Sequence, residues 1–282
     1  MTKFGRCCMP HWVLFLAAAA AGWLAAGSTI ESGAAAETKD DAEGWIELFD
    51  GKTLKGWHKN PEKIGHGTGG IWSVEPGGVL AGEQDPPGSG NGGILLTDRK
   101  FGDFELSLEM KPNWGSDSGI FLRSTDKGQC IQMMVDYYNG GSVGHFYGEA
   151  TGGWGARAFS IEGEVEDGKL VRLRTVREQR PEAVGLAYSC TPEEWLKAWK
   201  IGEWNKALIR VEGGRYPVIT TYINGLKVGV FDAANSTAPK YDREEVARLL
   251  GEKGSIALQV HGGDSYPPGA RCRYRNIRIR EL

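Results

Sequence analysis

Residues 44–282 are written largely in period two. In Phe104-Glu105-Leu106-Ser107-Leu108-Glu109-Met110 every second residue is apolar, and in an extended chain those residues share one face. One buried and one wet face is what a half-buried antiparallel strand requires. The same pattern predicts strands at 94–97, 119–123, 130–137, 170–176, 207–211, 218–223, 226–231, 255–261 and 273–280. Asn224-Gly225, between two of these runs, is the dipeptide of a two-residue hairpin turn.

Two stretches read as helices, both in loops. Thr191-Pro192-Glu193-Glu194 is a capping box with proline at the first helical position, leading into 195–200. Asp242 and Glu245 open a second helix over 246–250, and Gly251 stops it. Short strands separated by turn chemistry predict an all-β fold: an antiparallel β-sandwich or jelly roll with these two helices as decoration.

Composition sharpens this reading. Glycine supplies 42 of 282 residues, about twice its usual share, and without a collagen period these glycines belong to turns. Lys and Arg number 33 against 36 Asp and Glu, with no basic block, which excludes the footprint of a nucleic-acid binder. Ten tryptophans leave room for aromatic surfaces that stack on sugars.

The first 36 residues read as an export signal: Lys3 and Arg6, an apolar or small run over 13–26, then Ala34-Ala35-Ala36 as a cleavage site. A run of about 14 is short of the roughly 20 residues that span a bilayer, and no later segment could span one. The expectation is a periplasmic or extracellular protein with a polar tether at 37–43 and a single domain at 44–282. Cys7 and Cys8 leave with the signal. Cys130, Cys190 and Cys272 remain, an odd set without C-x-x-C spacing. At most one disulfide can form, and the alternative is three small buried hydrophobes.

Common catalytic motifs fail on context. Residues 88–93 match G-x-G-x-x-G by letter, yet a strand rather than a helix follows. Gly115-Ser116-Asp117-Ser118-Gly119 carries Asp where a nucleophile elbow needs Ser. There is no H-E-x-x-H, P-loop or EF-hand loop.

Polar residues on common strand faces are the remaining candidates. Alternation puts Cys130, Gln132, Met134 and Asp136 on one face, and Ala257, Gln259 and His261 on one face of the run 255–261. Gln132 and Gln259 either line a groove or face solvent. His261 is a site residue or a satisfied surface histidine. Arg123 binds substrate or pairs with Asp117 or Asp136. In the glycine-rich run 143–154, His145, Tyr147, Glu149 and Trp154 suit a sugar-binding loop, the alternative being a packed Ω-loop.

Longer strings carry a resemblance. GWIELFDGKTLKGW (44–57), IWSVEPGGVLAG (71–82), GGILLTDRKFGDFELSLEMK (92–111) and SDSGIFLRS (116–124) are similar to the opening of the 3-keto-disaccharide hydrolase domain family. Trp204-Asn205, residues 221–225 and SIALQVHGG with RYRNIRIREL continue it to the end. The resemblance implies a concanavalin-like jelly roll acting on glycosides oxidised to a ketone at C3. Such a ketone acidifies the C2 proton. A base removes it, the enolate expels the C1 substituent, and water adds back.

That chemistry needs a base, donors for the enolate oxygen and an acid near the leaving group. By resemblance, His261 serves as base or acid, Arg123 and Gln132 as donors, and Asp136 or Glu149 as the second acid–base group. A divalent cation could replace the arginine, though no ligand spacing points to one. The chain departs from the family pattern twice: Cys130 stands where Glu-x-Gln has its Glu, and Val260 where Gln-Asp-His-Gly has its Asp. Both departures remove carboxylates from the presumed groove: either Asp136 or Glu149 compensates, or the substrate is a different glycoside, or the chain is a non-catalytic carbohydrate-binding module on the same fold.

Overall fold

The computed structural model describes residues 44–263 and 266–282. The expected signal and tether lie outside the described residues. Two antiparallel sheets face each other, as the alternation predicts. The larger runs in the order Tyr188–Ser189, Leu226–Asp232, Val218–Ile223, Asn205–Glu212, Phe104–Pro112, Cys272–Glu281, Val79–Glu83, Ile71–Glu75, with Ile46–Glu47 also paired to Cys272–Glu281. The smaller runs Gly155–Ala156, Val143–Glu149, Cys130–Val135, Gly119–Ser124, Gly254–Val260, Gly93–Phe101, Trp57–Lys59. Ser160–Glu166 and Lys169–Val176 form a separate two-stranded ribbon.

Each sheet joins consecutive hairpins through pairings distant in sequence: Phe104–Pro112 lies between Asn205–Glu212 and Cys272–Glu281, and Gly254–Val260 between Gly119–Ser124 and Gly93–Phe101. The predicted hairpin forms at Asn224-Gly225, both residues at positive φ (51° and 85°), as a turn matching the strand twist requires. The expected strand 130–137 ends at Val135.

Alternation decides what each face meets. Phe104, Leu106, Leu108 and Met110 point inward from the larger sheet, and Ile120, Leu122, Ile131, Met133 and Leu258 meet them. The outer face of the larger sheet is charged and interlocked. Glu105 accepts from Arg210 and Arg280, and Glu75 from Arg271 and Arg273.

Both helices form where their caps stand. Thr191 and Glu194 make the reciprocal capping box of α1 (Pro192–Ala198). Asp242 accepts from the Glu245 amide at the start of α2 (Arg243–Leu250). Trp195 and Trp199 stack at 5.4 Å, and Trp199 donates to the Tyr137 hydroxyl, which ties α1 to the sheets. A 3₁₀ turn at Pro181–Val184, not signalled by the pattern, borders the groove described below. Cys130, Cys190 and Cys272 are buried and free, so no pair of them forms a disulfide. No described helix is long and apolar enough to cross a membrane.

Candidate active site

The outer face of the smaller sheet is half covered and half open. Asn60 organises the cover. Its carboxamide donates to the carbonyls of Glu62 and Gly67 and accepts from the Ile94 amide, so the loop 61–68 folds over the strands. Ile64 caps an apolar cluster of Ile94, Leu96, Phe121, Cys130 and Ala257. The same loop lays His66 at the edge of that cover, its carbonyl accepting from the Gly92 amide.

Beyond His66 the sheet opens into a groove of about 600 Å³. Its polar lining includes His66, Asp117, Gln132, Asp136, Tyr138, Tyr147, Glu149, Arg157, Gln179 and His261. The sheet brings together six of the ten residues expected from sequence: His261, Asp136, Glu149, Gln132, Tyr147 and Asp117. A seventh, Gln259, lies buried beside them and bonds to His66.

Three do not reach the groove. Arg123, next to the end of its strand, sits at φ 52°, a left-handed geometry that turns its side chain out of the strand's alternation. Its guanidinium is buried elsewhere, donating to the carbonyls of Gly102 and Gly214 and to Asp103 rather than to Asp117 or Asp136. His145 is buried between the hydroxyls of Ser142 and Ser189, edge-on to Phe159. Burial, then the charge of Arg157, push it down to about 3, so it is neutral. Trp154 is fully buried, stacked on Phe231. The expected loop 143–154 is instead the strand Val143–Glu149 followed by a turn. Its Gly148 is there for contact: a Cβ would lie 2.1 Å from the Trp154 indole nitrogen.

Four groove residues carried no sequence signal: His66, Tyr138, Arg157 and Gln179. No motif surrounds them. Arg157 brings to the groove the guanidinium that the sequence assigns to Arg123.

The two departures from the family pattern also fall into place. Cys130 belongs to the covered apolar half, and Glu149 stands directly across from it in register, supplying a carboxylate from the neighbouring strand. Val260 faces the interior between the sheets, against Gly82. The reading that Val260 removes an acid from the groove is therefore corrected: that face never points into it.

Electrostatics within the groove follow from these positions. The His261 Nδ1 proton goes to the Gly262 carbonyl, which can only accept, and this leaves Nε2 with its lone pair free. Asp117 Oδ2 lies 3.9 Å from that same Nδ1. The rings of His66 and His261 are 4.6 Å apart. His66 Nε2 lies 3.0 Å from the Gln259 carboxamide nitrogen and 3.3 Å from Glu149 Oε1. One ring nitrogen cannot accept from Gln259 and donate to Glu149 at once, so the proton on His66 sets which it serves.

Burial raises Asp117, opposed chiefly by the charge of His261. Burial, then the Asp117 carboxylate, hold Asp136 well above the ordinary range. The side-chain oxygens of Gln132 and Gln259 are buried without a hydrogen-bond partner. Among the described residues no group of three or more His, Cys, Asp and Glu is arranged to hold a metal ion.

Residues 44–280 match the model of the 3-keto-alpha-glucoside-1,2-lyase-like domain. The chain belongs to this family. A 3-keto-disaccharide hydrolase of Bacteroides thetaiotaomicron is 33% identical over 267 residues, covering 86% of this chain and 80% of that protein. Among solved structures, one from Parabacteroides distasonis is 24% identical with a TM-score of 0.48, covering 84% of this chain and 99% of that one. The β-glucanase of Bacillus licheniformis is 12% identical with a TM-score of 0.42, over 86% and 99% of the two chains.

Proposed function

We propose that the protein is an exported enzyme that cleaves 3-keto-glycosides by elimination and hydration. The family and the named Bacteroides relative support the substrate class, and the N-terminal signal pattern supports export. The observation that carries the chemistry is His261 in the groove lining, its Nδ1–H held by the Gly262 carbonyl, which leaves Nε2 to serve as the base.

His261 removes the C2 proton, and Asp117 beside its Nδ1 steadies the imidazolium that forms. Arg157 takes the place intended for Arg123 as the guanidinium facing the enolate. Asp136 and Glu149 are the carboxyl groups available near the leaving group. The side-chain oxygen of Gln132, a groove-lining residue without a hydrogen-bond partner in the protein, accepts from a sugar hydroxyl, and Gln259 holds His66 in place behind it.

The test is incubation of the purified protein with 3-keto-glucosides and their unoxidised parents, with and without chelator, followed by mass spectrometry. Cleavage confined to the keto forms is expected. Saccharide binding without cleavage would make this a carbohydrate-binding module instead.

Gly119 offers a check on the groove itself. A Cβ there would lie 1.7 Å from Gln132 Oε1, so Gly119→Ala must displace that side chain. KM should rise about tenfold, a loss of roughly 1.4 kcal/mol, while the melting temperature moves little. Unchanged KM would take Gln132 out of substrate binding.

A further inference from the structure

Two acids meet on the groove floor because strand register puts them there. The pairs Gly119–Met134 and Ser116–Tyr137 set Asp117 opposite Asp136. Backbone bonds from Val135 to the Ser118 carbonyl and from Tyr137 to the Ser116 carbonyl, each 2.8 Å, flank them. Asp117 and Asp136 are thus the non-hydrogen-bonded pair, the arrangement that brings facing side chains closest. Like charges so placed repel, and each residue is only 8% exposed. One proton between the two removes the repulsion and makes a strong charge-assisted hydrogen bond.

The surroundings decide where that proton rests. Asp117 has His261, His66, Tyr138 and Glu149 around it, with its Oδ2 3.9 Å from His261 Nδ1, whereas Asp136 has Arg157 and Glu149. Two imidazoles lie beside Asp117 against one guanidinium beside Asp136, and burial with the facing carboxylate raises Asp136 the further of the two, so Asp136 keeps the proton. An independent mark of a ligand lies in the same lining. Gln132, which lines the groove, is 4% exposed, and its side-chain oxygen has no hydrogen-bond partner in the protein.

We propose that Asp117 and Asp136 hold one proton in common and that Asp136 delivers it to the glycosidic oxygen of the departing sugar. The delivery step rests on the keto-glycoside reading above. His261 Nε2 takes the C2 proton, and the electrons of that bond form the C1–C2 double bond. The C1–O bond breaks toward oxygen, which takes the proton of Asp136. The two carboxylates are then balanced in part by the new imidazolium. Water next adds its hydroxyl to C1 and returns its proton to Asp136, while His261 returns its proton to C2. The balance closes with water as the one co-reactant.

Leaving-group dependence tests the delivery. A sugar alkoxide must be protonated as it leaves, and 4-nitrophenolate need not be. In single turnovers that follow leaving-group release before hydration, D136N should lose about a hundredfold on a 3-keto-disaccharide and at least tenfold less than that on the 4-nitrophenyl 3-keto-glucoside. Equal losses on both overturn the proposal.

D117N tests the pairing. It removes the facing charge, so Asp136 should release its proton at lower pH, and the basic limb of the disaccharide rate should move down. An unmoved limb overturns the pairing. A third measurement does not depend on turnover. The infrared spectrum at neutral pH should show the carbonyl band of a protonated carboxyl group, absent in D136N. Its absence from wild type overturns the shared proton even if keto-glycosides are cleaved. Its presence without cleavage upholds the pair and overturns the delivery step together with the keto-glycoside reading.

Discussion

His261→Ala is expected to lower kcat/KM for a 3-keto-disaccharide by about 10³-fold, well inside what a positioned general base contributes. That is roughly 4 kcal/mol of transition-state stabilisation. The loss should fall on kcat with KM nearly unchanged, because proton abstraction is an interaction made only in the transition state. The fold should be little affected. The side chain is about a third exposed, and its ring contact is with His66 at the groove rim. Steady-state kinetics with a thermal melt of the same preparation reads both quantities. A loss under tenfold with an unchanged melt would move the base role to His66 and Glu149, the other imidazole–carboxylate pair in the groove.

The contrast between His261 and His66 shows what could be read from the chain and what could not. His261 ends an alternating strand, so its place followed from local pattern. The same is true of Gln132, whose groove-facing side was legible from period two, and of both helix caps. His66 lies in a loop with no periodicity. It reaches the site because Asn60 bonds to three backbone groups at once, two of them more than five residues away. Nothing in the residues around His66 announces that tertiary event. Asp117 and Asp136 were each visible as acids, but their opposition depends on register between two strands, which alternation alone does not fix.

Arg123 failed for a different reason. Alternation assumes extended backbone, and the positive φ at the strand end turns this side chain toward Asp103. The run 143–154 divides: Tyr147 and Glu149 reach the groove from a strand, while His145 and Trp154 pack inside. At Gly148 the missing side chain makes space for an indole.

That indole belongs to the residue for which sequence and structure disagree most, and the two readings predict different outcomes. As an exposed sugar platform, Trp154 could be truncated with loss of binding and little change in stability. In the structure it is fully buried, stacked on Phe231 at 4.7 Å and 13°, with Tyr241 edge-on at 4.9 Å. Its Nε1 makes no hydrogen bond, so packing alone holds the ring. Trp154→Ala should therefore destabilise the fold by about 3–5 kcal/mol, the range for removing a buried aromatic side chain. In a domain of this size that lowers the melting temperature by about 10 °C. Protein that remains folded should keep its KM within about threefold, since Trp154 does not line the groove. Trp154→Phe should recover part of the loss by preserving the stack on Phe231. Denaturant titration alongside substrate kinetics separates the cases. A stable Trp154→Ala protein with its KM raised more than tenfold would return this residue to the ligand.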